Sequence, residues 1–82
     1  MNNQEIFEKL KTIINSINGS AFIKEETALV ADSILDSLEF MNYITKVEES
    51  FNLNISDAEI NTQQLGIVGN MVTYLSLQIN KK

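Results

Sequence analysis

Leu35-Asp36-Ser37-Leu38-Glu39-Phe40-Met41 reads as the mouth of a helix. Asp36 suits an N-cap, and Glu39 three residues on completes an Asp-x-x-Glu capping box, which pairs backbone donors otherwise orphaned at a helix start. Ser37 then falls on the first turn. Apolar side chains recur at Leu38, Met41, Ile44, Val47 and Phe51, with Phe40 and Tyr43 widening the stripe. This is helical rather than strand spacing, and it predicts a helix over about 36–51 with that stripe buried. A serine on its first turn lies near the positive end of the macrodipole and at the surface, where a phosphate ester is favoured.

Upstream, Asn2 and Glu5 form a second capping-box pattern, followed by Ile6, Phe7, Leu10, Ile13, Ile14 and Ile17 on one face, so helix I is expected over about 3–18. Asn18-Gly19 supplies residue types that tolerate the left-handed conformation closing a helix. Residues 19–35 then form a long connection, which Phe22, Ile23, Leu29, Val30, Ile34 and Leu35 can pin across a helical core, with a short turn within Lys24–Leu29. Downstream, Asn52-Leu53-Asn54-Ile55 breaks the period. Ser56 with Glu59 is a third capping box, opening a short helix III over about 56–61. Leu65, Val68, Met71, Val72, Leu75 and Ile79 mark helix IV over about 66–79, with Gly66 and Gly69 softening its first turn. Three longer helices, one short one and a long first crossing describe a single all-α domain over 1–82, a small four-helix bundle.

Composition narrows the function. At 82 residues there is room for one core and one site. No apolar run approaches membrane-spanning length and no signal-type segment follows Lys9 and Lys11, so a cytoplasmic monomer is expected. Six lysines face eleven carboxylates, a net charge of −5. The stretch from Glu25 to Glu59 carries nine acids against Lys46 alone, a local balance of −8. Such a surface repels nucleic acid and attracts basic protein partners. Cysteine and histidine are absent, which removes thiolate nucleophiles, the usual zinc ligands and the usual general base near neutral pH. Self-contained catalysis is not expected, and neither is a metal site.

The run Asp36-Ser37-Leu38, continued in register by Glu39, Met41, Ile44, Val47, Glu48, Glu49 and Phe51, resembles the acyl carrier proteins and the related carrier domains of polyketide and peptide synthases. The match is ungapped from Asp36 to Phe51 and extends more loosely from Asn3 to Ile79. The resemblance implies the four-helix carrier fold and makes Ser37 the attachment point of 4′-phosphopantetheine, whose thiol carries acyl intermediates as thioesters. It implies a phosphopantetheinyl transferase and acyl-loading and acyl-transfer enzymes with basic docking patches as partners. Asp36, Leu38, Glu39, Met41, Asn42, Glu48 and Glu49 would form the docking face, and Met41, Ile44, Val47, Met71 and Leu75 would shelter an acyl chain.

Several departures from the pattern bear on specificity. Ile34 stands where a glycine is common, Asn42 where a glutamate is typical of fatty-acid carriers, Lys46 adds a positive charge to helix II, and Tyr43 is bulky for its position. They suggest a specialised carrier serving a dedicated transferase or ligase. Ser33, in Asp32-Ser33-Ile34, has an aspartate before it and an aliphatic after it, but lacks the helical register that follows Ser37.

The cargo is left open between fatty-acid, lipid or polyketide-type intermediates and an aminoacyl or peptidyl group, D-alanyl included. Two other classes compete with a carrier. One is an unmodified acidic helical module binding a basic partner through helix II. The other is a metal site on Asp32, Asp36 and Glu39, which lacks EF-hand spacing and its central glycine.

Overall fold

In a computed structural model the described residues are 2–19, 22–56, 60 and 64–80. They form three α-helices, α1 (Asn3–Ile17), α2 (Ser37–Phe51) and α3 (Val68–Asn80), with no strand among them. The short helix expected over 56–61, with its Ser56–Glu59 cap, lies mostly outside the described residues. What is described is a single bond of helical spacing, the Ile60 N–H donating to the Ser56 carbonyl at 3.2 Å.

The first two helices start where local chemistry dictates. Asn2 Oδ1 accepts from the Glu5 N–H at 2.8 Å while Glu5 Oε1 accepts from the Asn2 N–H at 3.2 Å, closing the capping box of α1. At the other end the expected left-handed closure is not used. Asn18 is extended at φ −134°, ψ 93°, and no described glycine has a positive φ. The reason is tertiary: the Asn18 side-chain amide donates to the Ile34 carbonyl at 3.0 Å, tying the end of α1 to the approach to Ser37. The left-handed terminator belongs to α2, at Asn52 (φ 53°, ψ 53°).

Helix α1 is the element against which both α2 and α3 pack. It contributes Ile6, Leu10, Ile13 and Ile14 to one continuous core with Phe40, Tyr43, Ile44, Val47 and Phe51 of α2 and Val68, Met71, Val72 and Leu75 of α3. The stripe read for α2 is therefore partly wrong. Leu38 is 79% exposed and Met41 46% exposed. At 3.6 residues per turn a spacing of three slips by about 60° per step, so Leu38, Met41, Ile44 and Val47 spiral halfway around the helix. The buried face centres on Phe40, Ile44, Val47 and Phe51, leaving Leu38 and Met41 outside.

Tyr43 is wholly buried, tilted against Phe40 with ring centroids 5.9 Å apart, and its hydroxyl has no hydrogen-bond partner. Burial pushes its phenol pKa up by disfavouring the phenolate. Leaving a buried hydroxyl unpaired costs about 1–3 kcal/mol. Tyr43→Phe is expected to raise stability by about 1 kcal/mol in urea unfolding, and a loss would mean that the hydroxyl makes a favourable contact.

From Phe22 on, the long connection is held by its own side chains and by α3. Ile23, Leu29 and Leu35 are buried, Val30 and Ile34 pack against the core, and Thr27 Oγ1 accepts from the Lys24 N–H at 2.9 Å to form the expected turn. Phe22 does not pin the loop. It is 76% exposed, with the Lys24 ammonium 5.6 Å from its ring centroid.

Three main-chain bonds clip this loop to the start of α3: Leu29 N–H to the Gly66 carbonyl (2.7 Å), Val68 N–H to the Thr27 carbonyl (3.0 Å), and Gly69 N–H to the Glu25 carbonyl (2.7 Å). Loop carbonyls thus replace a side-chain cap for the first amides of α3. Regular helix begins at Val68, two residues later than expected, because Ile67 is engaged in a bridge with Ala28.

Gly69 is a contact point rather than a soft spot. A Cβ there would lie 3.0 Å from the Glu25 carbonyl oxygen. Gly69→Val is expected to lower stability by about 1–3 kcal/mol despite a better helix propensity. A Gly69→Val melting temperature at or above wild type would show that the clip yields freely.

Candidate functional site

Ser37 is the first residue of α2 and is exposed. Its position is held from both sides. Asp36 Oδ1 accepts from the Glu39 N–H at 2.8 Å, and Glu39 Oε1 accepts from the Asp36 N–H at 3.0 Å, so the capping box brackets the serine. Behind it the chain is fixed by Leu29, whose carbonyl accepts from both the Ile34 and Leu35 N–H groups at 2.9 Å. No left-handed residue is needed at Ile34. The left-handed position is Ser33, at φ 60°. A cleft of about 310 Å³ opens beside the serine, lined by Val30, Ser33, Leu35, Asp36, Ser37 and Glu39.

The residues fit a phosphate-linked group. The serine hydroxyl faces solvent at a capped helix N-terminus, where the dipole favours an anion. Asp36→Ala is expected to lower stability by about 1 kcal/mol through loss of the cap, while Asp36→Asn leaves it nearly unchanged. Comparing both in urea unfolding separates the cap from the charge, and equal losses would mean that the carboxylate charge matters more than the hydrogen bond.

Leu38, Met41, Asn42, Thr45 and Glu49 are exposed along one outward stripe of α2. Glu48 is occupied elsewhere: its Oε2 accepts from the Ile55 N–H at 2.7 Å, bracing the segment after α2. Glu39 has one oxygen in the cap. Of the residues read as sheltering a chain, Ile44, Val47, Met71 and Leu75 are buried in the common core. Met41 is separated from them at the surface because of the helical drift described above. Asp32, Asp36 and Glu39 do not assemble as a metal-ligand set, since no such cluster forms among the described residues. Sequence reading missed the Glu48 brace and the Ser33 backbone, because neither has a local signature.

No described helix is long and apolar enough to cross a membrane. No family model matches the chain, and no solved structure matches it. Curated proteins do. The acyl carrier protein of Thermotoga maritima is 30% identical over 78 residues, covering 93% of this chain and 94% of that protein. The acyl carrier protein of Clostridium acetobutylicum is 33% identical over 72 residues, covering 85% and 91%. That of Onion yellows phytoplasma is 35% identical over 74 residues, covering 87% and 93%. With this identity over nearly its full length, and a helical fold that presents an exposed serine at a capped helix start, the chain belongs to the acyl carrier protein family, whose members are carriers rather than enzymes.

Proposed function

We propose that this acyl carrier protein holds its cargo as a thioester on 4′-phosphopantetheine esterified to Ser37. The observation that carries the reading is the placement of Ser37, exposed and first in a doubly capped helix beside an open cleft. The Ser37 hydroxyl forms a phosphodiester with the phosphopantetheine half of coenzyme A, the nucleotide half leaves, and the hydroxyl proton passes to the transferase. The chain holds no histidine to accept it. When attached, the group supplies a terminal thiol for acyl transfer at partner active sites. Asp36 and Glu39 keep the helix start rigid so that the hydroxyl is presented in one geometry.

The partner surface is the outward stripe of α2. Leu38 and Met41 provide its apolar part and Glu49 its charge, complementary to basic patches on a transferase or acyl-loading enzyme. Asn42 and Lys46 are exposed on α2 and favour a specialised carrier over one serving general fatty-acid elongation. The bulk of Tyr43 does not bear on this surface, because it is buried. The cargo is an acyl intermediate of lipid or polyketide-type synthesis, with an aminoacyl group as the alternative. Ordinary affinity for fatty-acid elongation enzymes would argue against specialisation.

The test of attachment is intact mass after incubation with coenzyme A, magnesium and a broad-specificity phosphopantetheinyl transferase. One phosphopantetheine addition is expected. No addition to the folded protein would leave an unmodified acidic interaction module as the better reading.

A further inference from the structure

We propose that the Val30–Ser33–Leu35 wall of the cleft beside Ser37 receives the proximal part of the prosthetic arm, with the Ser33 hydroxyl as its hydrogen-bond partner. This rests on attachment of phosphopantetheine at Ser37. Ser37 is itself a wall of the cleft, so a group esterified to its Oγ begins at the cleft mouth.

The two remaining sides of the cleft differ in charge. Asp36 and Glu39 are carboxylates with one oxygen each held by the capping box. The apolar dimethyl carbon beyond the phosphate would desolvate those carboxylates, which leaves the neutral wall made by the loop to receive it. That wall is apolar at Val30 and Leu35 and polar at Ser33. The arm carries both kinds of group, with a branched dimethyl carbon beyond its phosphate and then a hydroxyl and an amide.

Ser33 combines an available hydroxyl with a constrained backbone. Its hydroxyl is exposed and has no hydrogen-bond partner among the described residues, although it can both donate and accept. Its backbone is left-handed at φ 60°, a conformation that disfavours a non-glycine residue. The conformation is imposed by the loop, through Ser33 N–H to the Val30 carbonyl at 3.0 Å and through the paired Ile34 and Leu35 bonds to Leu29. Strain of this kind persists where surrounding structure over-determines it and clusters at functional positions. A wall fixed in advance also binds without an ordering penalty of its own. Ser33 is thus a positioning residue that acts on the arm and not on the cargo.

The test uses the full-length protein, wild type and Ser33→Gly, each converted to the holo form and checked by mass. Glycine keeps the left-handed backbone and removes only the side chain. In wild type, apo-to-holo conversion is expected to shift the amides of Ser33 and Ile34 and the methyls of Val30 and Leu35, with nuclear Overhauser contacts from the arm's dimethyl group to those methyls. Loss of those contacts in holo Ser33→Gly, with the fold intact by amide spectrum, supports the hydroxyl as the anchor.

Shift changes confined to residues 36–39, with mass confirming attachment, would overturn the docked arm while leaving the Ser37 reading in place. Unchanged arm contacts in Ser33→Gly would overturn the role of Ser33. Absence of any addition at Ser37 would overturn the attachment reading and the docking with it.

Discussion

Ser37→Ala is expected to take up no phosphopantetheine under conditions where the wild-type protein is fully modified, while its melting temperature stays within a few degrees of wild type. The functional loss would be complete because the oxygen proposed to form the phosphodiester is gone, and no other group in the cap replaces it. Asp36 and Glu39 are carboxylates already engaged with backbone N–H groups. The small structural effect follows from exposure: Ser37 is a surface residue, and the cap is made by its neighbours. Surface substitutions away from such features usually change stability by about 0.5 kcal/mol or less. Intact mass and a circular dichroism melt on the same sample read both parts. Modification persisting in Ser37→Ala would move the attachment point elsewhere and remove the central argument for this helix start.

Leu29→Ala is expected to be the most damaging of the structural substitutions, at about 2–5 kcal/mol. Leu29 is fully buried although it lies in a loop. Its N–H donates to the Gly66 carbonyl, and its own carbonyl accepts from Ile34 and Leu35. Emptying its side-chain volume would leave a cavity at the point where the loop, the start of α3 and the approach to Ser37 meet. A domain of this size has a total stability toward the lower end of about 5–15 kcal/mol, so the loss would remove much of it. The expected fall in melting temperature is roughly 10 °C or more. Since the loop positions Ser37, modification by the transferase should slow at temperatures where the wild type is unaffected. A stability loss below about 1 kcal/mol would mean that the loop is not part of the cooperative unit.

The division of labour among the acidic residues follows from what each one touches. Glu48 braces Ile55 and Glu39 closes a cap, so much of the negative charge of α2 is structural as well as electrostatic. Glu49, with Leu38, Met41 and Asn42, is exposed and is the part of α2 that the proposed docking would use. A carrier visits its partners transiently, and a small apolar patch rimmed by charge suits fast, reversible docking more than tight binding.

Local signals in the sequence were sufficient for α1, α2 and the placement of Ser37 at the start of α2. Capping boxes join residues three apart, and the identity of both members is visible in the chain at Asn2 and Glu5 and again at Asp36 and Glu39. The core of α1 was legible for the same reason, since Ile6, Leu10, Ile13 and Ile14 follow the helical period closely. Where the apolar spacing was ambiguous, at Leu38 and Met41, periodicity alone put surface residues in the core, and packing against α1 decided which face turned inward.

What only the tertiary structure decided lies between segments distant in the chain. The amides that open α3 are satisfied by carbonyls of Glu25 and Thr27, some forty residues earlier, so no capping side chain marks that start. Gly69 suits the closeness of that approach, which residue type alone reads as weakness in a helix. The left-handed turn falls at Ser33, because backbone bonds around Leu29 and Val30 override the preference of serine. Local interactions are written in neighbouring residues and can be read from them. Contacts across the bundle depend on which surfaces meet, and those are settled only when the whole core is packed.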